Sequence, residues 1–192
     1  MKIDPMELTV HRSAGKETKT IPVGSVAGVR FAARDIDAKR RQLDEMLERD
    51  GRYTGATRTS PSVFRLGRYL LTQSPEFEVQ GALTGGEAEV VLIRCHDEVL
   101  VTVGSDQCDR ELDALFPDKP KQMCPHPVAA VAWPASEVRA HWDQLQISSR
   151  ILLGKHEIAL QERFLSVLVD LDFILAMDAV KALPDPAWVY CW

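Results

Sequence analysis

Three acidic side chains mark the chemistry open to this sequence. In the run GEAEVVLIRCHDEVLVTVGSDQCDRE, residues 86–111, Glu87 and Glu89 stand two apart at the head of an apolar stretch, and Asp106 follows a second one. If both stretches are strands, Glu87 and Glu89 point to one face, roughly 6–7 Å apart. His96, Asp97 and Glu98 then form the turn, residues 99–103 the returning strand, and Asp106 lies at its exit. Three converging carboxylates without a nearby imidazole suit a hard cation such as Mg²⁺, Mn²⁺ or Ca²⁺ rather than Zn²⁺. The same spacing also suits ordinary acids on the outward face of a half-exposed strand, because E-x-E alone carries little information. Cys95, His96, Cys108, Cys124 and His126 offer zinc-type donors. Their spacings match no usual zinc pair, and the adjacent Cys95 and His96 would point to opposite strand faces.

The elements that must position these acids are short. Met6, Leu8 and Val10 alternate with polar residues and predict a half-buried strand. Residues 13–16 form a turn, 18–23 a partner strand and 26–31 a further one. A helix follows: Asp35 caps it, Ile36, Arg40, Leu43 and Leu47 share a face, and Gly51 ends it. Lys39, Arg40 and Arg41 give that helix a solvated basic face from which Lys39 could reach a site. Residues 52–62 read as a polar loop and 76–80 as a strand. Pro117 and Pro120 keep 113–123 irregular, and Cys124-Pro125-His126-Pro127 is a rigid loop. Ser136 caps a helix with Val138, Trp142 and Leu145 on one face. Residues 147–153 form a strand, 162–182 are helical in part with Pro184 as the stop, and 187–190 are a terminal apolar scrap. Many short strands with two or three helices indicate an α+β, mostly β domain.

Size and charge narrow the class. A chain of 192 residues makes a single domain able to bury a sizeable core, with residues 1–28 as its N-terminal strands. A net charge of -5 argues against a nucleic-acid partner. The longest apolar stretch, 164–180, is interrupted by Asp170, Asp172 and Asp178, which argues against a membrane span. The N-terminus lacks a signal peptide's layout. The four cysteines then read as reduced thiols of a cytoplasmic protein.

In their order along the chain, these motifs resemble the fumarylacetoacetate hydrolase superfamily, and more closely a bacterial domain-of-unknown-function family related to it. The resemblance runs from about Val29 to the last residue. It rests on the E-x-E strand (Glu87-Ala88-Glu89) and on Asp106-Gln107-Cys108-Asp109-Arg110-Glu111 in place of a D-x-T-x-R-[DE] pattern. Lys121 stands before the Cys124-Pro125 step, and Gln161 is the counterpart of a later glutamine. Residues 60–73, 104–111 and 121–129 fit the bacterial family's own pattern. The resemblance implies a mixed β-sandwich or β-roll, a homodimer, and a divalent cation held by Glu87, Glu89 and Asp106, with Mg²⁺ or Mn²⁺ favoured and Ca²⁺ as a third choice. It implies hydrolase- or lyase-like chemistry on a small oxo-acid or related carboxylate: C–C hydrolysis, decarboxylation or isomerisation through a metal-stabilised enolate. Lys121 would add positive charge beside that enolate. Arg34 or Arg110 would pair with a substrate carboxylate, and Gln161 would open the substrate region. An internal ion pair to Asp106 or Asp109 is the alternative for Arg110.

Two departures from that pattern shape the functional expectation. Hydrolytic members carry a His and a Glu on a mobile helix; here Lys39 stands at the His position and Gln42 near the Glu position. The catalytic candidates are therefore Lys121 and Lys39. The superfamily's last strand leads into a Gly-Thr loop that grips substrate. Leu183-Pro184-Asp185-Pro186-Ala187 matches the approach to it, and the loop itself is absent. Cys108 replaces a common threonine and reads as a buried structural thiol. Two functions follow: a divalent-metal-dependent enzyme, or a catalytically retired member acting as a ligand-binding or structural dimer.

Overall fold

The two acid-bearing strands, Thr84–Cys95 and Glu98–Asp109, pair in antiparallel register along their whole length. The computed structural model that shows this describes residues 3–50, 61–113 and 119–191. In chain order the strands are β1 (Met6–Arg12), β2 (Gly15–Ile21), β3 (Ser25–Arg30), β4 (Ser62–Leu66), β5 (Leu71–Thr72), β6 (Thr84–Cys95) and β7 (Glu98–Asp109). They continue with β8 (His126–Pro127), β9 (Val131–Pro134), β10 (Gln146–Leu153), β11 (His156–Phe164) and β12 (Ala187–Cys191). The α-helices are α1 (Ile36–Asp50), α2 (Arg110–Asp113), α3 (Ala135–Val138), α4 (Leu171–Ala176) and α5 (Asp178–Lys181).

Eight strands form one mixed sheet in the order β2-β1-β9-β7-β6-β12-β3-β4, with parallel pairings at β1–β9 and β12–β3. β10 and β11 make a separate hairpin, and β5 and β8 a short parallel pair. The fold is thus α+β and mostly β, as the density of short strands predicts.

Strand alternation sorts the core onto two faces. Val90 and Leu92 of β6 point with Ala27, Val29, Val189 and Cys191 toward the helical side, where Val138, Trp142, Leu165, Ile174 and Val180 cover them. Val91 and Ile93 point the other way, with Val26, Trp188 and Tyr190. Leu8 and Val10 of β1 join that second cluster, so the sheet curls over itself to enclose it.

Several sequence expectations need correction. Residues 187–190 are no terminal scrap: they lie within β12, which runs between β3 and β6 with every residue buried. A strand covered on both faces needs no polar alternation, so its short unbroken apolar run gives no periodic signal. Asp106 lies within β7, not beyond it, and directly faces Glu87 across the hairpin. The turn is only His96-Asp97, with His96 at φ 54°. Residues 76–80 form no strand; Phe77 and Val79 are largely exposed and find no sheet neighbour. Ser136 sits inside α3 rather than capping it, although Val138 and Trp142 do share a buried face. The segment 162–182 is helical in part, as expected: it ends β11, makes a 3-10 turn at Leu165–Val167 and then forms α4 and α5. Asp35 does cap α1, its Oδ1 accepting from the Ala38 N–H at 2.8 Å. The side chains of Leu43 and Leu47, the stop at Gly51, residues 52–60 of the polar loop and Pro117 lie outside the described residues.

Trp188 is fully buried and donates from Nε1 to the Pro22 carbonyl at 3.2 Å. Trp188→Ala should cost about 3–5 kcal/mol, as large-to-small changes in packed cores do. Urea unfolding with an unchanged slope would read that loss directly.

Candidate metal centre and adjoining cavity

Glu89 is 1% exposed, Asp106 1% and Lys121 4%, so three ionisable groups are buried together at the β6–β7 hairpin. Register explains the placement: Glu87 faces Asp106 across the strands, and Glu89 follows two residues on, opposite Gly104. Gly104 is needed there, because a Cβ would stand 2.6 Å from Tyr190 Cε1 and 2.8 Å from the Pro127 carbonyl oxygen. The close approach lets the Tyr190 hydroxyl donate to the His126 and Pro127 carbonyls, each at 3.0 Å.

Asp106 is the anchor. One of its oxygens takes the Lys121 ammonium, delivered by the 3-10 turn Lys119–Met123. The other lies 3.1 Å from His126 Nδ1. His126 Nε2 meets the Lys121 carbonyl oxygen at 2.7 Å and must carry a proton to bond it. Burial alone would raise the Asp106 pKa, but the His126 and Lys121 contacts together hold it below the ordinary value. Glu89 moves the opposite way. Burial, reinforced by the Asp106 charge, pushes its pKa well above normal, and both its carboxylate oxygens are buried without a hydrogen bond. Of two neighbouring acids, the Lys121 and His126 contacts thus favour the ionised form of Asp106, while burial and the Asp106 charge favour the neutral form of Glu89.

Phe64 packs beside the cluster. Gly28 admits its ring, since a Cβ there would sit 2.2 Å from Phe64 Cζ. The ring carries Arg30 at 4.9 Å and Lys121 at 5.8 Å.

The structure brings the predicted residues together unevenly. Glu87, Glu89, Asp106 and Lys121 share one site. Arg110 also belongs to it, but as an internal partner: its Nη2 donates to Glu87 Oε1 at 3.0 Å, not to Asp106 or Asp109. Arg34 is held away, in a two-pronged pair with Asp143 at 2.8 and 2.6 Å and a 2.9 Å bond to the Leu168 carbonyl. Lys39 donates to Gln42 on its own helix at 3.1 Å. The amide of Gln161 is spent on β6: it accepts from the Ala88 N–H at 2.6 Å and donates to the Ala88 carbonyl at 3.3 Å. His126 and Arg30 were missed as site residues. From sequence His126 stood as a loop residue beside two prolines and as one of the zinc-type donors, and nothing there linked it to Asp106, twenty positions earlier.

A cavity of about 350 Å³ adjoins the cluster, lined by Phe31, Lys39, Glu89, Gln161, Arg163 and Cys191 among others. It opens where β12 makes its last described pairing with β6, Cys191 against Val90. Glu89, Lys39 and Gln161, selected separately from sequence, thus border one space.

The donor set fits a hard divalent cation. Glu89 offers two buried, unpartnered oxygens, and Asp106 Oδ1 also lacks a well-aligned hydrogen bond. Among the described residues no three such side chains enclose an ion as they stand, because Arg110 draws Glu87 aside and Lys121 holds Asp106. The zinc set does not assemble: His126 is committed to Asp106 and Lys121, and all four thiols are free.

A curled mixed sheet with its helices on one face carries a buried acid–lysine cluster in its central hairpin. Residues 29–191 match the family described as protein of unknown function (DUF2848), and the chain belongs to that family. No curated protein matches. Similar solved structures share the fold. Cg1458 with inhibitor has a TM-score of 0.63 at 12% identity, over 90% of this chain and 68% of that one. 2-Keto-3-deoxy-D-arabinonate dehydratase, complexed with magnesium and 2,5-dioxopentanoate, has 0.59 at 15%, over 91% and 64%. 5-Carboxymethyl-2-hydroxymuconate delta-isomerase from Mycobacterium smegmatis has 0.55 at 13%, over 94% and 76%.

Lys121→Met should destabilise by about 3–5 kcal/mol, because it strands the Asp106 charge in the core. Adding Asp106→Leu should recover part of that loss in the same denaturant assay. Thiol accessibility gives an independent check. Burial pushes the Cys108 pKa up to about 12, and Cys124 and Cys191 are equally enclosed. Ellman's reagent at pH 8 should find no more than Cys95 reactive in the native protein, and four thiols after denaturation.

Proposed function

We propose that the protein is a divalent-metal-dependent enzyme acting on a small oxo-acid or related carboxylate. The observation that carries this reading is Glu89, a fully buried carboxyl with two unpartnered oxygens beside an ionised Asp106. Burying such a group is costly unless something compensates it. Glu87, Glu89 and Asp106 would hold the cation, with Mg²⁺ or Mn²⁺ favoured and Ca²⁺ as the third choice. When bound, the metal would supply Lewis-acid polarisation of the substrate's oxo and carboxylate oxygens.

The chain's own residues do the rest. Lys121, fixed by Asp106, keeps a positive charge in a water-poor site, where it stabilises negative charge developing on the substrate. His126 holds the second Asp106 oxygen and the Lys121 backbone, and so orients the pair. Arg110 holds Glu87 at one carboxylate oxygen, and Glu87 would be among the residues that hold the cation. Lys39 donates to Gln42, and glutamine cannot act as a base, so the two residues at the positions of the usual hydrolytic dyad do not supply water activation. Decarboxylation or isomerisation therefore fits these residues better than C–C hydrolysis. The solved structures of similar fold include a dehydratase complexed with magnesium and an isomerase.

The same missing dyad favours a second reading, a retired member that binds a ligand without turning it over. Both readings take the protein as a cytoplasmic homodimer. Free thiols support the compartment, and the exposed Leu152, Leu153 and Leu160 of the β10–β11 hairpin support the dimer. No described helix is long and apolar enough to cross a membrane.

Metal binding is testable by melting temperature. Mg²⁺ or Mn²⁺ at about a hundred times its dissociation constant should add about 2.7 kcal/mol, a rise of several degrees for a chain of this size. Glu89→Gln should erase that rise yet leave the metal-free protein at least as stable, since it removes a buried carboxyl. An unchanged melting temperature in wild-type protein at millimolar metal would exclude the cation.

A further inference from the structure

The cavity beside Glu89 has a chemical character of its own. Two chain segments build its wall rigidly: Arg34 N–H donates to the Val167 carbonyl at 2.9 Å, and Val169 N–H to the Ala32 carbonyl at 2.8 Å. Between them Phe31 is held at φ 61°, a conformation uncommon for a side chain of that size. Its ring faces Lys39 Nζ at 5.4 Å. Phe31, Ile147, Phe164, Val167 and Leu168 make most of the lining apolar. The polar groups among the described lining residues are few: Lys39, Arg163, Glu89 and Gln161, whose amide is already bonded to Ala88.

Resting on the oxo-acid reading above, we propose that this cavity selects a monocarboxylic 2-oxo acid with a branched or aromatic apolar arm. Lys39 and Arg163 add positive charge beside the carboxylate, and Phe31, Phe164, Val167 and Leu168 take the arm. A sugar acid would set its hydroxyls against apolar walls that offer them no partner, and would gain less there than an apolar arm. A dicarboxylate would place its second charge against the apolar wall. The volume of about 350 Å³ suits an acid of six to nine carbons at the small end of ordinary ligand pockets.

The test is calorimetric titration of the purified protein, with and without Mg²⁺, using four probes: 4-methyl-2-oxopentanoate, 2-oxoglutarate, gluconate and 4-methylpentanoate. The apolar oxo-acid should bind about ten-fold or more tightly than 2-oxoglutarate or gluconate. Val167→Asp, at a half-exposed position that tolerates change, should abolish that preference. Arg163→Gln should weaken every acid alike. Equal or tighter binding of 2-oxoglutarate or gluconate, or no binding of any acid at millimolar concentration, overturns the proposal. The reading beneath it fails separately. If 4-methylpentanoate binds as well as its oxo counterpart, indifferent to Mg²⁺, the apolar acid site stands and the cation does not.

Discussion

The buried ion pair of Asp106 and Lys121 is the constraint around which the site is built. Neither charge is tolerable alone in a core of Val91, Ile93 and Tyr190. The hairpin register must therefore bring Asp106 to the place where the 3-10 turn delivers Lys121. The His126 ring, the Tyr190 hydroxyl and the glycine at 104 then follow as the means of seating that turn. The His126 and Lys121 contacts lower the Asp106 pKa, whereas burial, with the Asp106 charge added, raises that of its neighbour Glu89.

The sheet separates two kinds of work. Glu87, Glu89, Val91 and Ile93 share the face that encloses charge, whereas Val90 and Leu92 share the face packed under the helices. The two faces meet on β6 beyond the Cys191–Val90 pairing, where Glu89 borders the cavity. The β10–β11 hairpin is fastened there by Gln161, whose amide imitates a neighbouring strand along Ala88. A residue read from sequence as a substrate contact thus serves as a strap for the cavity wall.

Legibility tracked locality. The β6–β7 hairpin, α1 with its Asp35 cap, and the strand at 146–153 follow from periodicity and turn chemistry within a few residues. Glu87 and Glu89 share a face for the same reason. What sequence could not show depended on distant partners. β12 has no polar alternation because both its faces are covered, and α3 begins without a side-chain cap because packing of Val138 and Trp142 holds it. Arg110 and Arg34, expected to meet a substrate carboxylate, are paired instead with carboxylates of the chain itself. Which carboxylates, Glu87 and Asp143, is a matter of tertiary approach that spacing does not encode.

The position of β12 in the sheet has a consequence for biosynthesis. β3 and β6 emerge from the ribosome long before the strand that joins them, and neither pairs with the other. Until Ala187–Cys191 arrives, the nascent chain must carry two apolar strand edges side by side without their shared neighbour. Such edges invite pairing with other chains. Dependence on contacts this distant in sequence predisposes the protein to slow folding and to reliance on chaperones during synthesis.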